Sequence, residues 1–451
     1  MSNRTLIEQV CGRRVWDSRG RPTVEAEISL TGGARGRAIA PAGASTGSAE
    51  ALDRRDGGDA FGGYDVREAV SSVVVDFGAI LKGLDATDQA LIDQKLIEID
   101  GTDDKSRHGA NAAIAVSMAV AHAAAAAARQ PLYRYLAGDR SLIVPLPEIQ
   151  IFGGGAHAGR RVDIQDFMVV CPGASTFAEA LDWTAEIYRA AGLLMAEAGL
   201  LAGVADEGGF WPVFDTNEQA LDMLLRAIER AGLRPVDEVA IALDIAASEF
   251  GQDGRYALGL EERELDRDEM IALLEEWLKR YPIVSVEDPL AEDDMEGFRT
   301  FTARVGHSVQ IVGDDLLVTD AERVHKAAAL NAANALLVKP NQRGTLTETK
   351  AAFDAARIAG FDTIVSARSG ETEDVTIAHL AVGWSAGQLK VGSFARSERM
   401  AKWNEVLRIE EELGDKAVFA GRRALRGNGH FTIRSGLYGL DRHIFYRLIK
   451  L

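Results

Sequence analysis

Apolar and polar positions form their clearest pattern in the second half of the chain. Short apolar runs there alternate with amphipathic helical stretches, an order that predicts a parallel sheet. At least six consecutive units of this kind, without a glycine-rich dinucleotide turn, favour a closed β/α barrel over an open doubly wound sheet. The helical stretches include DEMIALLEEWLKRY, DAERVHKAAAL and TLTETKAAFDAARIAG, and the apolar runs are VAIALD, PIVSVED, SVQIVGDD, NALLVK, DTIVSARS and GQLKVGS.

The first third of the chain has a different order, with strands before helices. Residues 23–30 alternate with period two, and a second strand-like segment, GRAIAP, follows a glycine-rich turn. Helical patterns then cover residues 65–83 and 109–128. This order predicts an N-terminal α+β domain over residues 1–142, followed by the barrel domain over residues 143–451. The segment SLIVPLPEIQ is expected to pass between the two, stiffened by its two prolines.

The charge balance limits the partners that the surface can bind. The chain holds 50 Lys and Arg against 68 Asp and Glu, a net charge of −18. Such a surface repels phosphate backbones and anionic lipid, so we expect neither nucleic acid nor membrane as a partner. A small anionic substrate would need a local pocket lined by cationic groups or metal ions.

The cysteines and the N-terminus indicate a reducing compartment. Cys11 and Cys171 are too few for a disulfide framework, and no CxxC zinc pattern exists. The first residues lack the apolar core of a signal peptide. The uncharged stretch 109–128 is long enough to span a membrane, but its alanines and polar residues favour a buried, closely packed helix. We therefore expect a cytoplasmic protein.

Charged residues lie at or near the end of each apolar run. In a β/α barrel the C-terminal ends of the strands converge on one mouth, where active sites form. Any single charge of this kind is also explained as a solvated loop residue. Six in register, acids first and bases later, favour a shared site. They are Asp244, Glu287, Asp314, Lys339, Arg368 and Lys390.

The types of charge at this mouth point to one kind of chemistry. Three carboxylates on neighbouring strands form an oxygen-ligand set that suits Mg²⁺, whereas the histidines show no close i,i+4 pairing that would favour zinc. The two lysines and the arginine would accept an anionic substrate, and we expect them to lower one another's pKa, so that a lysine can act as a base. The set suits removal of a proton next to a metal-bound carboxylate, with an acid assisting a leaving group.

The chain resembles the enolase family over nearly its whole length. The matching motifs are long, specific and in order: DSRGRPTVE, GASTG, DGTDDKS, VADEGGF, ALDIAASEF, VEDPLAEDD, VGDDLLVT, NQRGTLTET, RSGETED and SERMAKWNEVLRIEEELG. The resemblance implies an enolase-type TIM-like barrel after an N-terminal domain, and reversible dehydration of 2-phosphoglycerate to phosphoenolpyruvate in glycolysis. It also implies two Mg²⁺ ions per site and a homodimer or larger oligomer.

The resemblance also implies a role for each matching residue. Lys339 matches the base that removes the C2 proton, and Glu207 matches the acid that assists loss of the C3 hydroxyl. Ser45, in the mobile loop, matches a ligand of the second Mg²⁺. The first Mg²⁺ would be held by Asp244, Glu287 and Asp314, and substrate would contact His157, Gln165, Asp166, Arg368, Ser369 and Lys390.

Four matched positions carry smaller side chains than the family pattern. They are Ala42, Gly153, Asp166 and Ala367, in PAGAST, GGGAH, QDF and SARSGETED. One interpretation is neutral change with water filling the space. Another is a pocket reshaped for a larger 2-phosphoryl-type substrate, as in carboxyphosphonoenolpyruvate synthases. A third, a non-catalytic scaffold, predicts a broken metal set, which the sequence does not show.

Overall fold

A computed structural model describes residues 3–426 of the chain. Its first unit is an antiparallel meander of strands β1 (Ile7–Trp16), β2 (Pro22–Leu30) and β3 (Arg35–Ile39). The two strand-like segments of the sequence are β2 and β3. Helices follow, as the sequence predicts: α1 (Arg67–Ser71), α2 (Gly78–Leu81), α3 (Gln89–Asp100), α4 (Ala110–Ala128) and α5 (Leu132–Ala137), with a π-helical segment, Ser72–Phe77, between the first two.

Helix α4 is the buried helix that the alanine-rich stretch predicts. It packs on β3 so closely that a Cβ on Gly36 would lie 2.1 Å from the backbone nitrogen of Ala123. Small residues on both elements therefore permit the contact. Within residues 3–426, α4 alone is long and apolar enough to cross a membrane, and 83% of that stretch is buried in the protein.

The second unit is a closed eight-stranded barrel, which confirms the predicted fold class. All six apolar runs became barrel strands, as the sequence predicts. The strands are β4 (Leu146–Gly153), β5 (Asp166–Val170), β6 (Ala240–Asp244), β10 (Ile283–Glu287), β11 (Gln310–Gly313), β12 (Ala335–Val338), β13 (Asp362–Ser366) and β14 (Gln388–Ser393), and the outer helices are α6 (Phe177–Glu197), α7 (Asn217–Arg230), α8 (Arg267–Arg280), α9 (Met295–Val305), α10 (Ala321–Leu330), α11 (Leu346–Ile358), α12 (Thr376–Gly383) and α13 (Ser397–Leu413).

Two features of the barrel differ from the sequence-based expectation. The segment with Pro145 and Pro147 is not only a connection, because β4 begins at Leu146 and pairs with β14. Strand β5 runs antiparallel to both of its neighbours. The connection from β4 to β5, residues 154–165, contains only a short 3-10 turn, and a parallel crossover usually needs a helix of its own.

A small antiparallel sheet lies outside the barrel. It consists of β7 (Gly251–Gln252), β8 (Arg255–Leu258) and β9 (Arg263–Asp266). Asp266 then caps α8, accepting from the backbone of Glu269 while the Glu269 side chain bonds back. The domain boundary at 142/143 stays a prediction, and residues 427–451 of the predicted barrel domain lie outside the described residues.

Candidate active site

The C-terminal ends of the barrel strands bring the predicted carboxylates together. Asp244 and Glu287 are the last residues of β6 and β10 and lie opposite each other in the strand register. Asp314 follows β11 directly. All three are buried, which is costly for charged groups unless partners compensate them.

Two lysines supply part of that compensation. Lys390 Nζ lies 2.9 Å from Asp244 Oδ2, 2.7 Å from Glu287 Oε2 and 3.2 Å from Asp166 Oδ2. Lys339 Nζ donates a hydrogen bond to Asp314 Oδ2. Acids and bases from six strands therefore form two neighbouring sets of ion pairs at the barrel mouth, one around Lys390 and one between Lys339 and Asp314.

The expected mutual lowering is present at Lys339, whose pKa Arg368 and Lys390 both lower, but the net pKa shift of both lysines is upward. Burial is the largest influence on the pKa of Lys339 and lowers it, but Asp314 and then Glu287 together outweigh it, so the pKa is raised. The pKa of Lys390 lies well above its ordinary value because the surrounding carboxylates, Asp244 and Glu287 foremost, together outweigh its burial. The order of the charges can be taken from the sequence but their distances cannot, and in the structure each ammonium contacts at least one carboxylate.

The carboxylates still carry more negative charge than the lysines neutralise. Burial, and then the charge of Asp244, holds the pKa of Glu287 well above its usual range. Glu287 Oε1 is buried and has no hydrogen-bond partner among residues 3–426. An unsatisfied, buried carboxylate oxygen with Asp244 opposite it in the strand register is an environment that an added cation stabilises, so the types of donor here fit a divalent metal. Within residues 3–426, the groups whose ligand atoms all lie within 4.8 Å of one another are two others: Asp288 with Asp314 and Asp315, and His157 with Asp166 and Glu207.

A second group of carboxylates supports the loop after β11. Oxygens of Asp288, Asp314 and Asp315 lie within 4.8 Å of one another. Asp288 accepts the backbone N–H groups of Asp314, at 2.9 Å, and of Asp315, at 2.7 Å. Asp288 thus fixes the backbone that presents Asp314.

The predicted acid lies at a different edge of the same mouth. Glu207 Oε1 lies 3.8 Å from His157 Nε2, which is 3.9 Å from Asp166 Oδ1. Arg399, fully buried and not found by the sequence reasoning, lies 3.7 Å from Glu207. Burial opposes ionisation of Glu207, but His157, Arg399 and the two lysines together lower its pKa. Arg399 sits inside a matched motif, yet only its buried position indicates its role.

The loop that contains Ser45 is bound to the end of the site near β13. Arg368 donates to the backbone oxygen of Ser45 at 3.0 Å and to Glu50 Oε2 at 2.9 Å. Ser369 Oγ accepts from the backbone nitrogen of Ala44 at 3.3 Å. Glu50, which the sequence reasoning did not single out, therefore compensates the buried Arg368.

One narrow cavity joins these groups. Gln165, which lines it, donates from Nε2 to Asp244 Oδ2 at 3.0 Å. Glu287 and Asp314 do not line it but contact the two lysines that do. The predicted site residues that line the cavity are Ser45, His157, Gln165, Asp166, Glu207, Asp244, Lys339, Arg368, Ser369 and Lys390.

The four smaller side chains do not all enlarge this cavity. A Cβ on Gly153 would lie 2.8 Å from Ala205 Cβ and 3.1 Å from Gln150 Oε1, so neighbouring side chains already fill that space. Ala42 exchanges backbone hydrogen bonds with Gly370. Two of the four, Asp166 and Ala367, line the cavity. Asp166 still reaches Lys390, so Ala367 is the one position where a shortened apolar side chain faces the cavity.

Glu148 is a barrel carboxyl that the sequence reasoning did not single out. It lies opposite Lys390 in the strand register and is 1% exposed. Burial raises the pKa of Glu148 to about 7, although Lys390 opposes the shift. The folded protein therefore favours the protonated form, and this stabilisation is complete below the unfolded pKa of 4.5 and is lost as pH rises through about 7.

Glu148→Gln is expected to remove this pH dependence. The difference in unfolding free energy, variant minus wild type, should be about 3 kcal/mol more positive at about pH 8 than at about pH 4, because only the wild type loses stability as pH rises. Chemical unfolding of both proteins at the two pH values measures the difference. A stability difference that does not change with pH would contradict the assignment.

A closed barrel with buried carboxylates and lysines clustered at its C-terminal mouth is the arrangement of a TIM-barrel enzyme. Comparison with known proteins gives the family. Residues 7–136 match the family model for the enolase N-terminal domain, and residues 141–428 match that for the enolase C-terminal TIM barrel domain. A curated enolase from Acidothermus cellulolyticus is 51% identical over 416 residues, which are 92% of this chain and 96% of that protein. The chain belongs to the enolase family, as its motifs indicate.

Proposed function

We propose that the protein is a hydro-lyase that interconverts 2-phospho-D-glycerate and phosphoenolpyruvate. The observation that carries the proposal is that Lys339 and Glu207 line one cavity together with Arg368 and Ser369. A base, an acid and an anion-binding end are the parts that this dehydration requires. The curated relative, an enolase over nearly its whole length, supports the same activity.

The donor set supports a divalent metal, and we propose Mg²⁺. Asp244, Glu287 and Asp314 would hold the first ion, and Ser45 would contribute to a second. Metal held there would supply positive charge next to the substrate carboxylate, which would stabilise the negative charge that develops as the neighbouring carbon loses its proton. Asp314 would then no longer hold its full charge against Lys339, and the lysine would be freer to lose its proton.

The residues of the chain then divide the reaction between them. Lys339 takes the proton from C2, and the electrons of that C–H bond form the C2–C3 double bond. Glu207 gives a proton to the C3 hydroxyl, which leaves as water. Cations lower the pKa of Glu207 in the free protein, and an anionic substrate that approaches the same cations would raise it again.

The remaining cavity residues would bind and orient the substrate. Arg368 and Ser369 suit the phosphoryl group, because a buried guanidinium and a hydroxyl recognise phosphate oxygens. We call the part of the cavity around Glu207 the acid end, and His157, Gln165 and Asp166 lie there. Gln165 Oε1 and His157 Nδ1 have no hydrogen-bond partner within residues 3–426. Lys390 orders the carboxylates.

The interpretation with a larger substrate is not favoured. The space at Gly153 is filled by Gln150 and Ala205, so the small residue opens no room there. The curated relative is itself an enolase. We further propose a homo-oligomer that works in the cytoplasm, in glycolysis or gluconeogenesis, as the family membership suggests.

Turnover of 2-phosphoglycerate beside larger 2-phosphoryl analogues tests the proposal. With Mg²⁺ present, the protein should produce the ultraviolet absorbance of an enol double bond from 2-phosphoglycerate, and chelation should stop it. Preference for a larger analogue would contradict the proposed substrate.

A restored variant provides the control. If the pocket already suits 2-phosphoglycerate, Ala367→His together with Asp166→Glu should not raise its turnover. The longer carboxylate would crowd Lys390 and Gln150, which already bind Asp166. A large gain in the double variant would instead indicate a pocket remodelled for another substrate.

A further inference from the structure

Gln150 is a buried side chain that bridges two parts of the acid end. It lies on β4 and is 0% exposed. Its Nε2 donates to Asp166 Oδ1, and its Oε1 accepts the backbone N–H of Gly209 at 2.9 Å. Both ends of one amide are therefore satisfied by groups beside the cavity.

Both hydrogen-bond partners of Gln150 connect it to residues of the acid end. Asp166 Oδ1 is the oxygen that lies 3.9 Å from His157 Nε2, and His157 Nε2 is 3.8 Å from Glu207. Gly209 follows Glu207 by two residues in a tight loop, which the hydrogen bond from Ala205 N to Gly209 O, at 2.7 Å, closes. The amide thus ties the loop that carries Glu207 to the carboxylate of Asp166.

Two glycines shape the space that Gln150 occupies. A Cβ on Gly209 would lie 2.4 Å from Gln150 Oε1, and one on Gly153 would lie 3.1 Å from the same atom. A distance of 2.4 Å is closer than real Cβ atoms approach and 3.1 Å is closer than most do, so the two glycines leave the room that Gln150 occupies. The small residue at 153 and the glutamine at 150 therefore form one packing unit.

The base is held by different contacts. Lys339 Nζ bonds Asp314, and the backbone nitrogen of Lys339 donates to Thr319 Oγ1 at 2.9 Å. Neither partner is shared with Gln150. A change at Gln150 should therefore disturb the acid end and leave the base in place.

We propose that Gln150 is a positioning residue for the acid half of the reaction: it holds Asp166 and the Glu207 loop in register, and so controls loss of the C3 hydroxyl rather than removal of the C2 proton. The inference rests on the proposed function. A misplacement of about 1 Å at a reacting group can cost roughly 100-fold in rate, so a single lost amide is sufficient for a large effect.

Gln150→Met, which is similar in volume but lacks both hydrogen bonds, tests the inference. Two rates are measured with Mg²⁺ and 2-phosphoglycerate: formation of phosphoenolpyruvate, and exchange of the C2 proton for deuterium in D₂O. We expect kcat for dehydration to fall at least about tenfold, with KM changed little and with C2 exchange largely retained. The ratio of exchange to dehydration should therefore rise by about the same factor as kcat falls.

Gln310→Met is the matched control. Gln310 is also a 0% exposed barrel glutamine, and its Nε2 bonds Gln388 Oε1 at 2.7 Å and Ala424 O at 2.9 Å. It begins β11, at the strand end away from the cavity. This variant should lose stability and keep the wild-type ratio of the two rates.

If Gln150→Met does not fold, Gln150→Glu replaces it, because the carboxylate keeps an acceptor for Gly209 and loses the donor to Asp166. If the folded variant keeps the wild-type ratio of the two rates, whether or not both rates fall, the inference is overturned. The wild-type activity would still uphold the proposed function. Wild-type protein that lacks both reactions would contradict the proposed function, and the inference with it.

Discussion

Replacing Lys339 by methionine is expected to lower turnover of 2-phosphoglycerate by a factor on the order of 10⁴, the upper range for loss of a general base. Lys339 is the cavity lysine that matches the family's base, and it reaches the cavity from the end of β12. Methionine keeps most of the volume and removes the amine. Absorbance of the enol double bond measures the rate.

Loss of stability could mimic this result, so a matched control is needed. Removing one partner of a buried ion pair destabilises a protein by about 3–5 kcal/mol. Lys105 offers the same change outside the cavity: its side chain is 4% exposed and its Nζ lies 2.9 Å from Glu348 Oε1. Lys105→Met should lose stability and keep turnover. Similar activity in the two variants would contradict the role of Lys339.

Replacing Glu287 by glutamine is expected to give the second-largest effect, on metal binding. Glu287 is buried, pairs with Lys390, and has one oxygen with no partner among residues 3–426. Loss of a residue that hydrogen-bonds to a metal ligand lowers metal affinity by about 10–100-fold, and loss of the ligand itself should lower it at least as much. Calorimetric titration with Mg²⁺ measures the change, and turnover should fall with it.

Glu148→Gln is the matched control for this substitution. Glu148 and Glu287 are both barrel glutamates that are 1% exposed, on strands β4 and β10. Only Glu287 belongs to the predicted ligand set, so Glu148→Gln should keep Mg²⁺ affinity. Equal losses in the two variants would indicate a general electrostatic effect, and unchanged affinity in Glu287→Gln would remove Glu287 from the ligand set.

The barrel could be predicted because its strands are short, apolar and followed by helical patterns. Alternation of strand and helix predicts a parallel sheet, and the six apolar runs from residue 239 onward alternate with helices in this way. The antiparallel β5 could not be predicted in this way. Its direction depends on the connection over residues 154–165, whose glycines and polar residues look like any loop.

The site could be predicted as a set of charges but not as a set of contacts. Strand ends converge in a barrel, so Asp244, Glu287 and Lys339 were expected at one mouth. Which ammonium meets which carboxylate depends on side-chain distances across strands, and this decided the direction of the lysine pKa shifts. Gln150 was missed because a single glutamine in an apolar strand carries no chemical signature in the sequence.

Exchange of the C2 proton of 2-phosphoglycerate in D₂O tests the central claim most directly, because it reports the step assigned to Lys339 alone. Wild-type protein with Mg²⁺ is predicted to exchange this proton, and chelation or Lys339→Met is predicted to stop the exchange. Exchange that persists in Lys339→Met at the wild-type rate would contradict the account.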